Sequence, residues 1–406
     1  MFKNIKRLYR MVPVLLGVFE ISAMAQDTLT IQQALTIARD KNTKIVNAQR
    51  NIEAAKSRLI KAKSYANPDV DFVSFDNKES NDYELNVMQE VGIPGKRKAR
   101  RLIAEDEISI ANEEMNLIWS EVAFEIKKAY YNILLMGKKK ALARENLNLF
   151  RKLLDNVQVR YNSGEALINE VTRAKIELLN VENELFFAEK ELRVAMAQFN
   201  LILNKPANYE FIFEDLLSYV EKTINYDDLA NKALANNPEL KIKTITIQKN
   251  SREINIARQS ILSNPKIGFV NKNEARESSV GASIGISLPL WYRNKGEIQN
   301  ANIELEKTKQ DVEFLKLQLL FNVYDASVES KYASRKVANF KTSIEQSNDI
   351  LNQVALQYKE GKTDFLVYLD SLRTIKVVKT GYNEAVFDYN KKLALIEKLI
   401  NQNLTP

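Results

Sequence analysis

Residues 157–171 read VQVRYNSGEALINEV and lie inside a long stretch whose apolar positions otherwise keep helical spacing. A lone glycine there, Gly164, needs a physical reason, because glycine weakens a helix interior by roughly 1 kcal/mol relative to alanine. Residues 354–368, VALQYKEGKTDFLVY, repeat the tyrosine, the glycine and the following apolar run, and Gly361 lies 197 residues beyond Gly164. The flanking stripes repeat too. Leu147, Phe150, Leu154, Val157 and Tyr161 step by three and four, and Ile344, Ser347, Leu351, Val354 and Tyr358 follow at the same offset. After the first turn Val171, Ala174, Leu178, Val181, Leu185, Ala188 and Leu192 keep that alternation, the seam of a coiled coil. Each glycine therefore marks the tip of an antiparallel helical hairpin, where positive φ lets the chain reverse.

Working outward, the repeat covers the chain. YANPDVDF at 65–72 answers to LSNPKIGF at 262–269, and ALTIARDKN at 34–42 to LANKALANN at 229–237. Two halves of about 195 residues share one plan. In the first, Ile45, Ala48, Ile52, Ala55, Leu59 and Ala62 predict an amphipathic helix ending before Asn67-Pro68. The period then changes from 3.6 to two. In DYELNVMQEVGI (82–93) and SVGASIGISLPL (279–290) apolar and mostly polar residues alternate, which predicts strands with one apolar face. With shorter partners before them, these give hairpins over about 69–93 and 266–289. From Lys96 to Tyr161 there is no proline, and as helix this run spans roughly 100 Å at ~1.5 Å per residue. The expected organisation is an export signal over 1–25, a first repeat over 26–205, a connecting segment over 206–226 and a second repeat over 227–406.

The composition agrees with long elements. The 406 residues contain only 11 Gly and 8 Pro, and no Cys and no His. Disulfides, thiolate or imidazole metal sites and the common Ser-His or Cys-His pairs are thereby excluded. No phosphate loop or metal constellation is present either, so neither an enzyme nor a cofactor is expected. The N-terminus, with Lys3, Lys6, Arg7 and Arg10 before an apolar run and Ala23-Met24-Ala25, reads as a cleavable export signal. Its removal takes a net three positive charges from +7 and leaves +4, which gives no case for nucleic acid. Without a cysteine, no N-terminal lipid attachment on that residue is expected.

Four strands cannot close a barrel, since about eight are needed before side chains fill the interior. Open edges beside an apolar face invite aggregation in water. Pooling strands from several chains in a membrane removes both problems. Strands of nine to twelve residues suit a tilted crossing of the hydrocarbon layer, and Trp291-Tyr292 suits its interface.

The signal, the duplicated order of helix, hairpin and long helical pair, the paired turns RYNSG and QYKEG, and FLVYLDSLRT after the second resemble the TolC family of outer-membrane efflux proteins. The resemblance covers about Thr28 to Asn401. It implies a mainly α chain with a small β part. Three such chains would form a twelve-strand transmembrane β-barrel, four strands per chain, above a helical tunnel across the periplasm. It further implies a passive exit duct, joined through a periplasmic adaptor to an inner-membrane pump that supplies the energy. The tips, with Tyr161, Gly164, Glu165, Glu170, Tyr358, Gly361, Asp364 and Asp370, would form the gate and meet the adaptor. Glu170 and Asp370 fall where relatives carry gate acids, and Tyr358 on a gate tyrosine. Where some relatives have an arginine and a further acid, this chain has Thr363 and Val367, so its lock is weaker or uses other pairs, such as Lys362 or Arg173 with a neighbouring acid.

The tip acids also have a plainer reading as solvated helix-terminal charges, with Asp364 or Thr363 as an N-cap. The sharper one is a ring of inward acids that attracts cations. GKRKARR at 95–101 is either a solvated helix start or a set of contacts from Lys96, Arg97, Lys98, Arg100 and Arg101 to lipid phosphates, beside the interfacial Trp291 and Tyr292. Tyr130, Tyr131, Phe186 and Phe187 read as packing residues, and the 206–226 segment as an external belt without a site. The competing function is an exported helical scaffold or adaptor with no spanning barrel. Cargo is not legible.

Overall fold

A computed structural model describes residues 28–77, 80–274 and 277–404. The expected export signal lies outside them. Two short helices open each half: α1 (Ile31–Lys41) and α2 (Thr43–Lys63), then, 195 residues on, α5 (Tyr226–Asn236) and α6 (Pro238–Gln259). Each starts at a side-chain cap. Thr30 forms a capping box with Gln33, and Asn42, Asn225 and Asn237 accept from the backbone of the first turns. Hairpins β2 (Asp69–Asn77) with β3 (Ser80–Glu90) and β5 (Lys266–Glu274) with β6 (Glu277–Gly285) follow. After each comes one very long helix and one of half its length: α3 (Pro94–Asn162) with α4 (Ile168–Ile202), and α7 (Lys295–Lys359) with α8 (Phe365–Ile400). At 69 and 65 residues, α3 and α7 each extend about 100 Å.

The two hairpins join in one antiparallel sheet of order β2-β3-β5-β6, so neighbouring β3 and β5 come from different halves. Register sorts the side chains. Val70, Val87, Phe269 and Ala282 form one cross-strand row, and Phe72, Leu85, Asn271 and Val280 the next row on that face. The opposite face carries the rows Asp71, Asn86, Val270, Gly281 and Val73, Glu84, Lys272, Ser279. One face is thus apolar but for Asn271 among these rows, and the other is mainly polar. β2 and β6 are edges with no partner strand among the described residues.

The ladder is shorter than the alternation predicts. β3 ends at Glu90 rather than Ile93, and β6 at Gly285 rather than near Pro289. The cause is Pro265, just ahead of β5, which accepts from the Val91 N–H at 2.8 Å but has no N–H to return. Past that point Ile93 N–H reaches the Asn264 side chain and Ser287 N–H the Ser263 hydroxyl.

Helix ends are stapled in matching places. Asn42 caps α2 with its oxygen and donates from Nδ2 to the last carbonyl of α4, Ile202, at 2.8 Å. Asn237 does the same between α6 and the Leu399 carbonyl of α8, at 3.3 Å. Short helices therefore stack end to end on the returning ones, and α2 and α4, like α6 and α8, act as single columns beside α3 and α7. Asn42→Ala loses a cap and a buried hydrogen bond together, so unfolding of the detergent-solubilised protein is expected to cost about 2 kcal/mol less per chain. Asn42→Ala combined with Asn237→Ala should be additive, since the two share no partner. Circular dichroism in denaturant checks both.

The connecting segment packs onto the helices through Phe211, Phe213 and Leu217. Ile212–Phe213 (β4) pairs in parallel with Thr28–Leu29 (β1). Phe211 and Phe213 pack edge-on against Phe199, and Phe213 against fully buried Tyr130. The Tyr130 hydroxyl lies 2.6 Å from the Asp215 carboxylate, and burial first, then that carboxylate, push its ionisation upward. Tyr131 is partly buried beside it, whereas Phe186 and Phe187 are exposed on the chain surface. Among the described residues no helix is long and apolar enough to cross a membrane.

Candidate functional site

The tips are built from one local device used twice. Gly164 has φ +80° and Gly361 φ +71°. In the first turn Glu165 N–H returns to the Arg160 carbonyl and Gly164 N–H to that of Tyr161; in the second, Lys362 returns to Gln357 and Gly361 to Tyr358. These are paired Schellman closures, and a left-handed residue without Cβ is what they require. The hairpins then pack on each other through a shared apolar core in which Val157, Val171 and Ala174 of the first meet Tyr358, Phe365 and Tyr368 of the second.

Arg160 ties the two tips together. Its Nη1 donates to the Tyr358 carbonyl at 2.8 Å, and its guanidinium carbon sits 4.7 Å from the centre of the Tyr358 ring. Its Nε lies 3.7 Å from the Glu165 carboxylate, within ion-pair range but too far for a hydrogen bond. Tyr358 is 1% exposed and donates its hydroxyl to Glu170 at 3.3 Å. Burial first, then the Glu170 carboxylate, push its ionisation up to about 12, so the phenol stays neutral at any physiological pH. Farther along, Arg373 pairs with Glu177, and Lys376 with Glu184 at 2.5 Å, again linking α8 to α4.

The sequence-predicted residues divide accordingly. Tyr358, Glu170, Glu165 and the two glycines come together around Arg160. Asp364 occupies the N-cap position of α8 in extended backbone, but its side chain caps nothing; only its carbonyl accepts, from Val367 and Tyr368. Asp370 is exposed on α8. Tyr161, the repeat partner of Tyr358, is 40% exposed rather than in the seam. Lys362 pairs with a neighbouring acid, Glu360 of its own turn, at 2.8 Å, while the cation that bridges the two tips is Arg160, which sequence reasoning missed. Its signal was present, because the repeat places Gln357 at the equivalent position, so only one tip carries the cation.

At the other end of the helices, where the sheet begins, Trp291 is 93% exposed and Tyr292 donates to Glu297 at 2.6 Å. Arg97 stacks on the Tyr65 ring at 4.3 Å and Lys98 is exposed. Lys96 departs from its expected place at lipid phosphates. It is buried, and its ammonium donates to the Leu262 carbonyl, because the first turn of α3 faces the chain leading into β5.

Known proteins give the same outline. The model of the outer membrane efflux protein family matches residues 34–205 and 229–402, one segment per repeat. The cobalt-zinc-cadmium resistance protein CzcC of Cupriavidus metallidurans is 20% identical over 372 residues, covering 88% of this chain and 86% of its own length. The outer-membrane channel OprN superposes with a TM-score of 0.78 at 14% identity, covering 93% of this chain and 91% of its own. The Campylobacter jejuni outer membrane channel CmeC gives 0.77 at 12%, with 98% and 94% covered. These matches favour the duct over the scaffold or adaptor alternative, and the chain belongs to the outer membrane efflux protein family.

Proposed function

We propose that three copies of this outer-membrane efflux protein assemble into one passive exit duct, with twelve strands closing a barrel in the outer membrane and twelve helical columns forming a tunnel across the periplasm. The observation that carries this reading is the sheet, whose register sorts apolar from polar side chains while neither edge has a partner strand among the described residues. In water that combination invites aggregation. Joining β2 of one copy to β6 of the next satisfies the edges and turns the apolar face to lipid. Exposed apolar residues along the helices, such as Phe186 on α4 and Phe314 and Phe321 on α7, supply the faces between copies. The exposure of Tyr161 fits as well, since rotation would set the first tip of one chain against the second tip of its neighbour.

The glycine turns then form the periplasmic mouth, where Gly164, Gly361 and the surrounding polar residues dock the helical hairpin of an adaptor that leads to an inner-membrane pump. Arg160, Tyr358 and Glu170 hold the two tips of each chain together. Glu170 and Asp370, tripled, give the mouth its preference for cations. Similarity to a cobalt-zinc-cadmium resistance protein makes divalent-metal sensitivity the first phenotype to test in a deletion strain. Fractionation tests the assembly: the protein should leave membranes only with detergent and run as a trimer. In planar bilayers Glu170→Gln with Asp370→Asn should move the reversal potential in a salt gradient towards zero, and an unchanged potential rejects the ring.

A further inference from the structure

Where the sheet meets the helices, all four strand ends and four helix ends lie together, since Glu90 pairs with Lys266 and Lys266 with Gly285. That level of the molecule is strongly basic. Arg97, Lys98, Arg100 and Arg101 project from the first turns of α3, Arg258 from the last turn of α6, and Arg293 from the approach to α7, all exposed. The carboxylates nearby are already engaged: Asp69 with Lys266 at 2.8 Å, Glu90 with Asn264, Glu297 with Tyr292, and Glu105 with Arg101 at 3.3 Å. Directly adjoining the collar are the apolar sheet face and a loop that leaves Leu288, Leu290 and Trp291 largely exposed. A band of cations bordering an apolar band matches the profile of a lipid leaflet, with phosphates beside hydrocarbon. Arg97, whose guanidinium lies over the Tyr65 ring, can offer paired donors to an oxyanion.

We infer that this collar binds the headgroups of anionic phospholipids in the leaflet facing the helices, in preference to zwitterionic ones; the inference rests on the barrel assembly proposed above. Three chains would present eighteen such side chains in a ring, the three copies of Arg101 among them paired with Glu105, and no comparable excess of acids among the described residues at this level offsets the rest. The test is native mass spectrometry of the detergent-purified trimer incubated with equimolar phosphatidylglycerol and phosphatidylethanolamine. The wild-type protein should retain phosphatidylglycerol at least fivefold over phosphatidylethanolamine, and raised salt should reduce the ratio. The quadruple variant Arg97→Gln, Lys98→Gln, Arg100→Gln, Arg101→Gln should bring it below twofold while the trimer still conducts. Should that variant fail to assemble, Arg258→Gln with Arg293→Gln provides the same comparison with α3 intact, and its ratio should fall at least twofold. No preference in the wild type, or an unchanged ratio in an assembled variant, overturns the inference. A chain that never inserts into membranes defeats the assembly reading itself, and the collar with it.

Discussion

Replacing Arg160 by glutamine is expected to loosen the two hairpin tips, which form the mouth in the proposed assembly, and to raise conductance in planar bilayers at least threefold. The side chain makes a charge-assisted bond to the Tyr358 carbonyl and stacks on that residue's ring, in a site where little solvent reaches it. Bonds to charged groups contribute roughly 1.5–3 kcal/mol, and the stacking adds about 1 kcal/mol. Losing even 2 to 3 kcal/mol at one seam shifts a two-state equilibrium by a factor of roughly 30 to 150. Glutamine also reproduces the residue that the second repeat carries at this position, Gln357, so the fold tolerates it locally. The same change at Arg173, which touches neither tip tyrosine in this structure, should leave conductance near the wild-type value. Equal conductance of the Arg160 variant and the wild type would show that the clamp is structural only.

The largest loss should follow Val87→Arg. Val87 lies mid-strand on the apolar face, opposite Val70 and Phe269. An arginine on the lipid side of a barrel costs about 2–4 kcal/mol near the membrane midplane, and the assembly would bear it three times over. Membrane residence of the protein, followed by immunoblot of detergent extracts, should fall at least tenfold. Gly281→Arg lies on the opposite face, where a Cβ would meet nothing within 4 Å, and it should assemble normally and alter only conduction. If the two variants behave alike, the assignment of faces is wrong.

Much of this was legible in the sequence, for physical reasons. A glycine followed by a restarted heptad reports a helical reversal because few residues adopt positive φ cheaply, and the offset of 197 showed the device used twice. Alternation of period two reports which strand residues share a face, and the registers align Val70 with Val87 and Phe269 as that alternation requires. Other features depend on partners distant in sequence and leave no local trace. Tyr161 and Tyr358 stand in near-identical surroundings along the chain, yet one is exposed and the other buried, because the second hairpin faces the first only on one side. Lys96 looks like its four basic neighbours until the chain entering β5 passes over it. Asn42 and Asn237 belong to the repeated ALTIARDKN and LANKALANN stretches, but a staple between helix ends becomes visible only when Ile202 and Leu399 arrive beside them. The positive φ of Asn204 and Asn401, again 197 apart, closes α4 and α8 as the glycines close α3 and α7, a signal that asparagine's tolerance of that conformation could have supplied.

The central claim is that sheet edges from three chains close one barrel, and the absence of native cysteine makes it directly testable. Paired cysteines placed at Val70, Phe72 or Ser74 on β2 and at Val280, Ala282 or Ile284 on β6 sample the registers that edge-to-edge pairing allows. After oxidation in intact membranes, a non-reducing gel of the best pair should show dimers and trimers and stop there. Bands that remain monomeric for every pair, or that continue beyond three chains, would contradict the closed trimeric barrel.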